Sequence, residues 1–223
     1  MAVMKRHLLC AGFLLASLAV GCARMPSTIN PNGAPTRQLI VYFTLSAPVD
    51  PRYYYFIAID NSGNTNEGPV PIVANPSAPI PATGVPLIIS NSTLPPQFYL
   101  QYHQPSFFEY RNLQFIGPPY YGALSQDGRT IGVIMDLDRI ATTVPTITLN
   151  IITSDRLLPP ESQFIELVYD GLGPSGNSYL IIPIDVNGAY SNADAAVPER
   201  EGDTSIAAID IVDWSVEVRL TAP

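Results

Sequence analysis

Gln38-Leu39-Ile40-Val41-Tyr42-Phe43-Thr44-Leu45 sets Leu39, Val41, Phe43 and Leu45 on one side of an extended chain, with Gln38 and Thr44 on the other and Ile40 and Tyr42 between them. Side chains alternate across a strand with period two, so this stretch reads as a β-strand with one strongly buried face. Further on, Tyr53-Tyr54-Tyr55-Phe56-Ile57-Ala58-Ile59-Asp60 is apolar on both faces, which marks a central strand. Between them, Ala47-Pro48-Val49-Asp50-Pro51 reads as a turn, because proline fixes its own backbone and cannot donate to a ladder. The two strands are expected to pair with each other.

The same alternation recurs along the chain. Phe98, Leu100 and Tyr102 alternate with Gln97, Tyr99, Gln101 and His103; Ile131, Val133, Met135 and Leu137 with Thr130, Gly132, Asp136 and Asp138; Ile147, Leu149 and Ile151 with Thr146, Thr148 and Asn150. Each reads as a half-buried strand, and the short connection Arg139 to Pro145 predicts that the last two are antiparallel neighbours. Tyr179 to Val186 is strand-like, but Pro183 confines it to an edge or a bulge. Near the C-terminus the apolar positions change phase, from Ile209 and Ile211 to Val212, Trp214, Val216, Val218 and Leu220, which predicts a bulge or bend near Ile211. The indole of Trp214 is expected to point inward with those valines.

Twenty-three prolines interrupt any window long enough to nucleate a helix. Many short strands joined by turn chemistry predict an all-β fold, an antiparallel β-sandwich of immunoglobulin-like or jelly-roll-like kind, as a single domain over residues 37–223. The long connection Gly68 to Pro86, with its six prolines, is expected to cross the surface in extended form, with Val70 to Val73 pairing briefly.

The N-terminus has the three parts of an export signal: Lys5, Arg6 and His7, then apolar Leu8 to Val20, then the small residue Gly21. The apolar run is shorter than the ~20 residues of a membrane-spanning helix. Leu18-Ala19-Val20-Gly21-Cys22 resembles a bacterial lipobox. The resemblance implies that residues 1–21 are removed, that the Cys22 thiol takes a diacylglyceryl group, and that the new amino terminus is acylated with a fatty acid such as palmitate. Ala23 is not the aspartate that retains some lipoproteins at the inner membrane, so the resemblance implies the outer membrane of a two-membrane cell. Residues 22–36 would be the lipidated cysteine and its tether, whose segment Ala23 to Thr36 extends at most about 46 to 50 Å.

Removing residues 1–21 takes away Lys5, the only lysine, and Arg6. Of the eleven Lys plus Arg, nine remain against nineteen Asp plus Glu, a formal charge of −10. Such a surface repels nucleic acid and anionic headgroups. Cys10 leaves with the signal and Cys22 takes lipid, so neither a disulfide nor a cysteine metal cluster is expected in the domain.

Nothing in residues 37–223 spells a reaction. There is no Gly-x-Ser-x-Gly, no phosphate-cradling glycine loop and no pair of histidines for zinc. His103, the one histidine left, reads as a solvated residue rather than a catalytic base. Asp136 and Asp138, alternate on a strand and so roughly 6.5 to 7 Å apart, are the carboxylate pair a glycoside hydrolase would need. Acids so placed, like Asp213 and Glu217, are more often the wet side of a strand.

Asp60, Ser62, Asn64, Asn66 and Glu67 form a dense run of oxygen side chains that calcium would accept as ligands, although Gly63 is not placed as an EF-hand loop requires. Otherwise no cofactor is expected. Tyr99, Gln101 and His103, beside Phe107, Glu109 and Arg111, form a candidate ligand face, since flat rings mixed with amide and charged groups suit sugars or a protein partner. Phe56-Ile57-Ala58-Ile59-Asp60 with its polar loop, and Trp214-Ser215-Val216-Glu217-Val218-Arg219, resemble segments of the DOMON and family-9 carbohydrate-binding sandwiches.

The expected role is therefore a lipid-anchored bacterial envelope protein, non-enzymatic, that binds or supports an envelope component. A carbohydrate-binding module on the aromatic face and a hydrolase using paired carboxylates are the alternatives. A flat aromatic strip would favour the first, and two convergent acids in a concave pocket the second.

Overall fold

A computed structural model of the chain describes residues 33–72, 88–89, 96–141, 143–157, 168–194 and 197–221. Nearly all of this is antiparallel strand in two sheets packed face to face, an all-β sandwich in one domain. The first sheet runs β13 (Gly188–Ser191), β14 (Ile211–Leu220), β1 (Arg37–Leu45), β9 (Thr130–Asp136), β8 (Tyr121–Leu124). The second places β11 (Tyr169–Gly171) and β12 (Leu180–Pro183) along one side of β10 (Thr146–Ser154). It then continues through β2 (Tyr54–Asp60), β5 (Phe98–His103), β6 (Ser106–Arg111) and β7 (Gln114–Gly117). A small ladder of β3 (Val70–Pro71) and β4 (Ile88–Ile89) is the brief pairing expected at Val70. The rest of the long proline-rich connection, residues 73–87, lies outside the described residues. No helix among the described residues is long and apolar enough to cross a membrane.

Between the sheets, Leu39, Val41, Phe43 and Leu45 meet Ile57, Ile59, Leu100 and Ile151, all buried. On the other face of β1 only Tyr42 is exposed, at 45%, whereas Gln38 and Ile40 are buried, so the alternation in burial is partial. The pairing of β1 with β2 is corrected: β1 pairs with β14 and β9, and β2 with β10 and β5 in the other sheet. The turn residues explain the crossing. Leu45, Ser46, Ala47 and Val49 donate to Arg129, Asp210, Ala207 and Gly128, which ties the outgoing chain to the end of the first sheet. Pro48 and Pro51 have no N–H with which to begin a hairpin ladder. With both faces of β2 apolar, burial is completed by crossing the core.

The pairing of β9 with β10 is corrected for a similar reason. The strand ends at Asp136, whose side chain accepts from the Asp138 amide at 2.9 Å and caps a single helical turn, α1 (Leu137–Ile140). Leu137 and Ile140 are buried, so this turn carries the chain along the end of the core into the opposite sheet. Nor is β10 half-buried. Its polar residues face a cover formed by residues 61–72, where Thr148 donates to the Glu67 carbonyl at 3.0 Å and Asn150 to that of Pro69 at 2.9 Å. A buried polar side chain is tolerated where its partners are supplied. A second apolar cluster on this outer face gathers Phe56, Ala58, Tyr99 and Ile152 with Ile88 of β4.

At β14 the expected phase change is present. Thr44 faces Asp213 and Leu45 faces Ile211, so Val212 is the extra residue of a bulge. Beyond it Trp214 is 3% exposed, and its Nε1 donates to the Val197 carbonyl at 3.1 Å. Pro183 closes β12 at the sheet edge, as proline's missing donor requires.

Candidate functional site

The aromatic face is real, with different members from those expected. The β5–β6 hairpin turns on Gln104 and Pro105, so His103 opposes Ser106, Gln101 opposes Phe108 and Tyr99 opposes Tyr110. Even-numbered residues of β6 therefore share the outward face with odd-numbered residues of β5. Glu109 opposes Leu100 and turns toward the core instead, and Arg111 opposes Phe98 on that same side, exposed at the strand end. Outside, Tyr99 is buried and stacked on Tyr110 with centroids 4.6 Å apart. His103 stacks on Tyr54 at 4.7 Å, and its Nδ1 lies 3.2 Å from the Tyr53 carbonyl. Phe115, 57% exposed, stands edge-on to Phe108 and Tyr110. With half-buried Gln101, these rings make a strip across β2, β5, β6 and β7.

In the Asp60 to Glu67 loop, side-chain oxygens cap the loop's own backbone. Asp60 Oδ1 accepts from the Ser62 amide at 2.7 Å, Ser62 Oγ from Asn64 at 3.2 Å, and Asn64 Oδ1 from Asn66 at 3.1 Å. This is the turn chemistry of Asn, Asp and Ser. The supposed carboxylate pair of a hydrolase is also accounted for. Asp136 caps α1, whereas Asp138 pairs with Arg37 at 2.6 Å, so they do not share a strand face.

Glu109, placed inward by the hairpin, is 1% exposed and lies 2.9 Å from Arg139 Nη1. The guanidinium also donates to the carbonyls of Ile116 and Pro118, and it meets Glu109 as an ion pair without a well-aligned hydrogen bond to either carboxylate oxygen. Burial pushes the Glu109 carboxyl up to about 7, with Arg139 opposing and Asp136 reinforcing the rise. Arg139 and Asp136, together with Gly33 to Pro35, Ile116 to Pro118 and Tyr120, line an open groove of about 380 Å³ at the end of the sandwich where β1 begins.

The densest arrangement of acids lies at the opposite end. Asp170 on edge strand β11, Glu199 and Asp203 each place a carboxylate oxygen within 4.8 Å of one another, and Asp210 adjoins Asp203. Backbone amides fix them. Asp170 accepts from Gly171 at 2.7 Å and from Ile211 at 2.6 Å, Glu199 Oε1 accepts from Gly173, and Asp210 accepts from Gly202 at 2.9 Å. Glu199 is held by Asn192, which accepts from its amide at 2.7 Å and donates to its carbonyl at 3.2 Å. Gly173 reaches Glu199 from a φ of +86°, a conformation open to glycine.

Glu199 is 5% exposed and Asp170 4%, whereas Asp203 opens to solvent. Glu199 Oε2 meets no amide, hydroxyl or cationic donor, the Asp203 carboxyl being the side-chain partner of Glu199, and no cation offsets the group in the ion pairs among the described residues. Burial raises Glu199 to about 9 and Asp170 to about 7, against the lowering effect of their amide donors, and burial also raises Asp203. None of these four acids stood out in the sequence. The run of acids from Glu199 through Glu201 and Asp203 to Asp210 was the available signal, but Asp170 joins it only through the fold.

No protein-family model, characterised protein or solved structure matches the chain.

Proposed function

We propose that the chain is a lipid-anchored bacterial envelope protein whose domain is a non-enzymatic binding or structural module, outer-membrane attached in a two-membrane cell. The observation that carries this reading is Leu18-Ala19-Val20-Gly21-Cys22, followed by a proline-rich segment up to the first strand at Arg37. The geometry of the domain accords with it. The chain enters at Thr36, bonded to Thr221 beside the end of β14, so an anchor at Cys22 would join the domain at that end of the sandwich.

Two acyl signals hold a protein stably where one chain holds it marginally. In membrane fractionation, wild type is expected with the membranes and Cys22→Ser in the soluble fraction or retained as uncleaved precursor. Mature Cys22→Ser protein remaining with the membranes would refute lipid anchoring through that thiol.

A second reading, carbohydrate binding, is favoured by the outward strip of Tyr54, His103, Tyr110, Phe108 and Phe115. Flat rings with a neighbouring amide suit the faces of sugar rings. Retardation in gels containing soluble polysaccharide, lost in Phe115→Ala, is the expected result. Equal mobility of wild type and variant across a panel of glucans, xylans and peptidoglycan fragments would remove this reading.

A further inference from the structure

Buried carboxylates in proteins are ordinarily compensated by a cationic side chain, by full hydrogen bonding, or by a metal ion. Glu109 has Arg139. At the far end of the sandwich, Asp170, Glu199 and Asp203 converge to within 4.8 Å with only acids as charged neighbours. Asp170 spends its oxygens on two backbone amides, yet Glu199, 95% shielded from solvent, has no amide, hydroxyl or cationic donor at Oε2 and has only the Asp203 carboxyl as a side-chain partner. That orphaned oxygen is a separate indication beside the clustering, because a buried acceptor left unpaired costs stability unless something is bound to it.

We propose that Asp170, Glu199 and Asp203 bind a hard divalent cation, calcium by ligand chemistry, with Asp210 as a supporting acid. All the side-chain donors are carboxylates, with no imidazole or thiolate, which disfavours zinc and copper. Calcium accepts oxygens at about 2.3 to 2.6 Å in irregular geometry, so oxygens up to about 4.8 Å apart can share one ion. Asp203, exposed at the surface, leaves a side open for water and for access. Bound there, the ion ties edge strand β11 of the second sheet to the segment that enters β14 of the first, where the Ile211 amide already reaches Asp170. The inference stands independently of lipidation.

The test is calcium titration of the full chain, purified in detergent and stripped with chelator. Thermal unfolding and terbium luminescence are the two readouts. Trp214, whose indole bonds the Val197 carbonyl two positions before Glu199, is the expected sensitiser. At a hundredfold excess over Kd, calcium is expected to raise Tm by roughly 5 to 10 °C. Terbium emission should appear and be displaced by calcium.

Glu199→Gln and Asp203→Asn should each weaken binding about tenfold or more, since affinity follows the number of charged ligands. The exposed Asp203→Asn keeps the test sound if Glu199→Gln misfolds, and Asp60→Asn should leave affinity unchanged. A Tm insensitive to 10 mM calcium, with no sensitised emission, overturns the proposal in favour of carboxylic acids sharing protons. Loss of binding in Asp60→Asn, or unchanged affinity in Glu199→Gln and Asp203→Asn, overturns it in favour of another location.

Discussion

Trp214 and Glu109 occupy opposite extremes of what a core accepts. The indole is buried with its one polar atom satisfied by the Val197 carbonyl, so truncation to alanine should cost roughly 3 to 5 kcal/mol. As the only tryptophan it should give blue-shifted emission, shielded from iodide, that moves to the red in one cooperative step on denaturation. Emission of the folded protein at the wavelength of free indole would contradict the burial. Glu109 is the costly case, with Arg139, Asp136 and Arg111 as its charged neighbours. Its carboxyl titrates near 7 when folded against an ordinary 4.5. Between those values the folded chain holds a proton that the unfolded chain has released, so this contribution is present at acid pH and lost as pH rises through 7. Glu109→Gln should therefore gain stability relative to wild type between pH 4.5 and 8, by at most about 3 kcal/mol. Using the difference between the two proteins cancels the same-signed effect of Asp170 and Glu199. A constant difference in denaturation midpoint across that range would place Glu109 in ordinary solvent. The inward Trp214 was legible from the apolar phase of its strand. Glu109 was not, because its direction depends on the turn before it.

That turn shows what could be read at the level of elements. Period two located β1, β5, β9, β10 and β14 because each has a continuous apolar face, an apolar run on both faces located β2, and the broken phase at Ile211 located the bulge. Pairing was less legible, because a short connection suits a hairpin and a crossing equally until its hydrogen bonds are known. Asp138, read as a strand residue, lies in α1, since a cap at Asp136 outweighs one more step of alternation. Parity across the β5–β6 turn followed from its two-residue length, and Gln104-Pro105 was the clue. The packing of the two sheets can be probed at a glycine. A Cβ on Gly122 of β8 would come within 2.7 Å of the buried Phe107 ring on β6 of the opposite sheet. Gly122→Ala is expected to cost about 1 to 3 kcal/mol in urea unfolding, as overpacking does. At Gly132 the clashing ring is that of Tyr42, 45% exposed and able to swing away, so Gly132→Ala should cost clearly less. Equal costs would mean that β8 and β6 do not face each other across the core.

The molecule as a whole has two unlike ends. Where β1 begins lie the chain's approach from residue 36, the Arg139 groove and the Arg37–Asp138 pair; where β1 ends lie the carboxylates and the start of β14. The strand between them is about 27 Å long. An anchor at Cys22 would thus join the domain at the end opposite the proposed cation site. The N-terminal motif carries the central claim, and the most direct measurement is the mass of the N-terminal peptide of mature protein extracted from its own membranes. The expected result is a peptide beginning at Cys22, its mass raised by a diacylglyceryl group and an amide-linked acyl chain. A mature N-terminus elsewhere, or Cys22 present with a free thiol, would contradict it.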